Sequence, residues 1–185
     1  KYVTAVCRSD SVDGWRERRR DGGVVIDVQT DEIVCEGLSM PHSPRWHNGR
    51  LWLLNAGTGQ LGWVDFEKKA FVPHAFVPGF ARGLSIIGNV AAVGLSKPRN
   101  QRFEGLQLDE ELKQRDAEPW CGVQIISLVN GDVLNWIRFD GDMGEIFDIS
   151  FLPNVKHPMM IGLRTAEIRD LITFESGIPA EAPAA

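Results

Sequence analysis

Paired cysteines are missing from this sequence. Its three, Cys7, Cys35 and Cys121, are odd in number, widely spaced and never arranged as C-x-x-C. That argues against a disulfide framework or a zinc knuckle, and predicts a reducing, cytoplasmic setting in which Cys35 and Cys121 behave as small buried hydrophobes. No apolar run approaches the roughly 20 residues of a membrane helix, so no membrane association is expected. No signal peptide is present, but the chain opens Lys1-Tyr2-Val3 without Met, so that absence carries no weight. Basic excess is also lacking. Twenty Lys and Arg against 25 Asp and Glu give a net charge of −5, which argues against a general nucleic-acid binder.

Several chemistries lack their residues. No nucleophile elbow, Ser/His/Asp order or paired-carboxylate spacing occurs. His42, His47, His74 and His157 fit no compact ligand spacing, so neither a metal nor a cofactor is expected. Asn55-Ala56-Gly57-Thr58-Gly59 has the glycines of a phosphate loop. It lacks the Lys-Ser/Thr ending, and a strand follows where a helix should begin, so it reads as a turn.

What is present is a succession of short strands. A 43% hydrophobic content marks a globular chain rather than a disordered one. The apolar segments are β-branched, aromatic or alternating, and Gly, Pro, Asn and Asp bound them. One short helix is predicted over 109–115, with Asp109 as its cap. A tail over 175–185, rich in Pro, Ala and Glu, reads as disordered.

The strands repeat. Asp27, Asp65 and Ser127 each end a strand, and six residues later Ile33, Phe71 and Val133 open the next. The turns between them hold Thr30-Asp31, Lys68-Lys69 and Asn130-Gly131, so these are three copies of one hairpin. A second hairpin, turning at Asn48-Gly49 and again at Gly88-Asn89, alternates with the first. Two hairpins per period of about 40 residues make four strands per unit, the signature of a β-propeller blade. A β-sandwich also uses strands at this spacing but does not predict the repeat.

The expected fold is therefore all-β, with about three blades of four antiparallel strands over 1–174. These comprise a partial blade over 2–38, a blade over 42–77, a blade over 81–139 with an inserted loop over 97–120, and a partial blade over 145–174. A propeller needs at least four blades to close. Further blades before Lys1, or self-association, are expected to complete the ring and cover open strand edges.

In such blades one set of turns is tight and bland, and the other is long and polar. Function favours loops on a rigid scaffold, so the long-loop end is the expected site. His42, Arg82 and the region from Glu145 to Asp148 align at the starts of innermost strands, while Asn55, Lys97 and Arg99 follow second strands. Together they form a cation-biased cluster suited to a small anionic or glycan-like ligand, or to a protein partner. The plainer alternative is that they satisfy loop backbone groups and one another. A catalytic version would use His42 as general acid/base beside Asp148 or Glu145, with Arg82 or Lys97 stabilising negative charge. Arg16-Glu17-Arg18-Arg19-Arg20 reads as a solvated charged loop, with a grip on phosphate or an acidic partner as the alternative. Trp15 and Trp120 fall in long loops where they could stack on a ligand, while Trp46, Trp52, Trp63 and Trp136 are expected to pack between blades.

Longer motifs carry a resemblance. They are Gly37-Leu38-Ser39-Met40-Pro41-His42-Ser43-Pro44-Arg45-Trp46, Leu54-Asn55-Ala56-Gly57-Thr58-Gly59, Pro78-Gly79-Phe80-Ala81-Arg82-Gly83-Leu84, Gly94-Leu95-Ser96-Lys97-Pro98-Arg99 and Cys121-Gly122-Val123. From Lys1 to Thr173 the chain resembles a bacterial family of conserved hypothetical proteins, a domain of unknown function with propeller-like repeats. It is similar to the C-terminal half of that family, which implies that the missing blades precede Lys1. Ala56 stands where members often have Ser. The resemblance implies a fold and brings no activity.

Overall fold

The computed structural model describes residues 1–100, 102–103, 105–158, 161–162, 164 and 166. Its contacts divide the chain into two units, 1–151 and 152–185. The first is all-β: its described residues form eleven strands in three antiparallel sheets, with one short helix and one 3-10 turn.

The first sheet holds β1 (Tyr2–Ala5), β2 (Gly23–Asp27) and β3 (Ile33–Leu38). The second is a four-stranded meander of β4 (Pro41–His47), β5 (Arg50–Asn55), β6 (Gln60–Asp65) and β7 (Ala70–Phe76). The third repeats it with β8 (Phe80–Ile87), β9 (Val90–Ser96), β10 (Cys121–Ser127) and β11 (Val133–Phe139). The order and pairing of these sheets are consistent with propeller blades. No helix among the described residues is long and apolar enough to cross a membrane.

The local causes are visible in the turns. Asn48 (φ 46°) and Gly49 (φ 75°) both take positive φ, the geometry that matches the twist of a two-residue hairpin and that Asn-Gly tolerates. The side chain of Asp65 accepts the Glu67 and Lys68 amides, at 3.1 and 3.0 Å, closing the β6–β7 turn. The helix α1 (Leu108–Gln114) forms one residue ahead of the predicted span, and Asp109 does not cap it. Its carboxylate accepts the Phe103 amide instead, at 2.9 Å, tying the inserted loop to the helix.

One core fills the space between the second and third sheets. Leu54, Leu61, Leu84, Val93 and Leu95 have no exposed surface, and α1 adds Leu108 and Leu112. A second cluster joins the first and second sheets through Val25, Cys35, Leu38, Leu51 and Leu53. Burial pushes the Cys35 thiol up to about 11, the state of an inert structural cysteine. Trp52 and Trp63 pack edge-on with each other and with His74. Trp46, though 58% exposed, stacks at 6.0 Å on Tyr2 of the first sheet, a contact between two sheets as expected. Trp136, also expected between blades, is instead 59% exposed and meets Trp120, which leads into the neighbouring strand of its own sheet.

The strand expected over 146–151 does not form. This segment is tied to β9 and β8 by isolated bonds: Ile146 and Ser96 bond mutually, and the Phe151 amide donates to Ser85 Oγ at 3.0 Å. A ladder needs a hairpin partner, and the partner expected over 159–163 lies largely outside the described residues, as does the tail over 175–185. In the second unit, residues 152–158 form turns and bends.

Candidate functional site

The long loops gather at one end of the sheets, around a cavity of about 250 Å³. The third sheet supplies its floor through Phe80 and Arg82 on β8 and Ser96 at the end of β9. The inserted loop adds Lys97, Arg99, Arg102, Phe103 and Leu106. The β1–β2 loop adds Trp15 and Arg19, and Met40 and Glu145 complete the wall.

A β-bulge places Arg82. Ala81 pairs with Leu95 and Leu84 with Val93, so Arg82 and Gly83 together face Gly94 alone. The extra residue bends the strand and re-aims its side chains. Gly94 makes the room, because a Cβ there would lie 2.2 Å from the Arg82 carbonyl oxygen. The second sheet carries the same bulge: His42 pairs with Leu54 and Arg45 with Trp52. The two bulges touch, the Gly83 amide donating to Ser43 Oγ at 3.1 Å. This register corrects the sequence alignment, since Ala81, not Arg82, stands at the position of His42.

The cations are held differently. The Arg82 guanidinium lies over the rings of Phe80 and Phe147, at 5.1 and 5.2 Å, and its buried Nε has no hydrogen-bond partner. Burial, and then the nearby Arg99 charge, pull Arg82 below the ordinary arginine range, while Glu145 offsets them. Arg99 is engaged: its Nε and Nη2 donate to the two oxygens of Glu145 at 2.5 and 3.1 Å, a bidentate fork. That hydrogen bond holds Glu145 below the usual carboxylate range. Arg19 is positioned through its backbone, whose carbonyl accepts Ser39 Oγ at 2.8 Å.

The cavity thus gathers Arg82, Lys97, Arg99 and Glu145 from the expected cluster, together with Trp15. It leaves out three others. Asn55 is buried beneath the site, where its Oδ1 accepts the Ser39 amide at 2.7 Å and so supports the residue that anchors Arg19. Asp148 sits 3.5 Å from Arg45 and accepts the Ile149 amide. His42 packs edge-on against Phe80, with its Nε2 buried and unpartnered. Among the described residues no carboxylate is hydrogen-bonded to His42, so the acid/base reading lacks its orienting partner. Nor, among the described residues, do three His, Cys, Asp or Glu side chains gather there as a metal site.

Sequence reasoning misses Arg19, Met40, Phe80, Arg102, Phe103 and Leu106. Arg19 has a signal in the basic run 16–20, but nothing local separates it from its solvated neighbours. Arg16 pairs with Asp13 and Arg20 with Glu110, while Arg19 turns inward.

Burial, with the Arg82 charge second, lowers His42 to about 4, so the ring is neutral in the folded protein near neutral pH. The unfolded chain takes up its proton near pH 6.5. Between these values the unfolded state binds more protons, so stability is complete above about pH 6.5 and falls as pH drops toward 4. Allowing for partial solvent screening, the loss is roughly 1–2 kcal/mol. Thermal melts between pH 7 and 4.5 should show this slope, and His42→Gln should flatten it.

No curated protein matches the chain. One family model, described as Domain of unknown function (DUF4915), matches residues 1–161.

Proposed function

The chain belongs to this family of unknown function, and from that premise we propose that the loop-end cavity is a binding site for a small organic anion. One observation carries the reading. Among the described residues, Arg19, Arg82, Lys97, Arg99 and Arg102 line a single cavity with Glu145 as its carboxylate. Gathering like charges costs energy unless an anion offsets it. Phe80, Phe103, Met40 and Leu106 line the same space, which suits an apolar body attached to the charged group.

A thermal-shift series tests this. Benzoate, phthalate and phenyl phosphate should raise the melting temperature, while benzamide and glucose should not. At a hundredfold excess over Kd the stabilisation is about 2.7 kcal/mol. Equal shifts from charged and neutral compounds, or none, would sink the reading.

A further inference from the structure

Resting on that reading, we propose that the ligand of this cavity is a phosphomonoester carrying one small apolar or aromatic group. The charge count separates this class from a simple carboxylate. Among the described residues five cationic side chains line the space, and Glu145, already spent on Arg99, offsets one of them. A monoanion leaves most of the excess in place, including the repulsion between Arg82 and Arg99. A phosphomonoester carries about −1.5 to −2 charges at neutral pH. Its three terminal oxygens accept from several donors at once.

The donors are arranged for such sharing. With Phe80 and Phe147 against its guanidinium, Arg82 offers its N–H edge, and a planar fork meets phosphate oxygens in pairs. Lys97 supplies a point charge at the end of β9, where its backbone amide is bound to the Gly144 carbonyl at 2.8 Å. Phe80 and Phe103 stack at 6.3 Å and form an apolar wall. Size sets the other bound. At about 250 Å³ the cavity falls below the roughly 300–1,000 Å³ of drug-sized sites, so it admits one ring and a phosphate, not a dinucleotide.

Calorimetric titration of the chain with phenyl phosphate, benzoate and inorganic phosphate tests the class. Phenyl phosphate should bind at least tenfold tighter than either of the others. Glu145→Gln removes the internal competitor, so it should strengthen phenyl phosphate several-fold and benzoate less. Benzoate binding as tightly as phenyl phosphate would overturn the phosphomonoester assignment while leaving an anion site standing. Inorganic phosphate matching phenyl phosphate would overturn the apolar group. If none of the three binds, the anion site itself falls.

Discussion

Arg82→Ala should weaken phenyl phosphate binding by between about ten- and a hundredfold. Hydrogen bonds to a charged group are worth roughly 1.5–3 kcal/mol each, and each 1.4 kcal/mol is a factor of ten. Arg82 carries this effect because Arg99, the charge that acts on it, is already committed. Arg99 is forked to Glu145, whereas the buried Nε of Arg82 has no partner. Arg82→Lys keeps the charge and loses the fork, so it should recover only part of the affinity. Both variants should melt close to the parent, since among the described residues Arg82 forms no ion pair that holds the sheets together. Calorimetry beside a thermal melt separates a lost contact from a lost fold. Unchanged affinity in Arg82→Ala would remove the anchor from the account.

The second large effect lies beneath the site. Leu84→Ala should cost about 3 kcal/mol, within the roughly 2–5 kcal/mol range for deleting a fully buried leucine. Leu84 is wholly buried and resumes the β8 ladder directly after the bulge, opposite Val93. Its methyl groups fill the core between the second and third sheets, where close packing limits how far the cavity left behind can collapse. For a chain of this size the melting temperature should fall by roughly 6–12 °C. A loss under about 1 kcal/mol in denaturant titration, well below that range, would mean that the two sheets do not share that core.

Strand spacing and turn chemistry make the sheets legible in the amino-acid sequence. The second sheet runs Pro41–Phe76 and the third Phe80–Phe139. Period-two alternation and turn chemistry are local properties, and each hairpin carries both. The site is less legible because its geometry depends on events without a sequence pattern. Both sheets carry a bulge in their first strand, and the ladders on either side of it align His42 with Ala81 rather than Arg82. Asn55 reads as an exposed loop residue, yet the approach of Ser39 buries it, and that contact crosses between chain segments. Phe80 and Phe103 have the composition of core residues, and only the inserted loop folding back over β8 turns them into a cavity wall. The 146–151 segment has the residues of a strand, and the partner that a ladder requires falls largely outside the described residues.

Everything proposed for this protein turns on one anion site built around Arg82 at the loop end of the sheets. Its most direct test is a nuclear magnetic resonance titration of the isotope-labelled chain with phenyl phosphate, following backbone amides, arginine Nε–H and tryptophan Nε1–H signals. Saturable shifts should concentrate on Arg82 Nε–H, the Trp15 indole and the amides of Lys97, Arg99, Phe103 and Glu145. The tight turns at Asn48-Gly49 and Gly88-Asn89 should stay still. Shifts centred on those turns, or none at millimolar phenyl phosphate, would contradict the account.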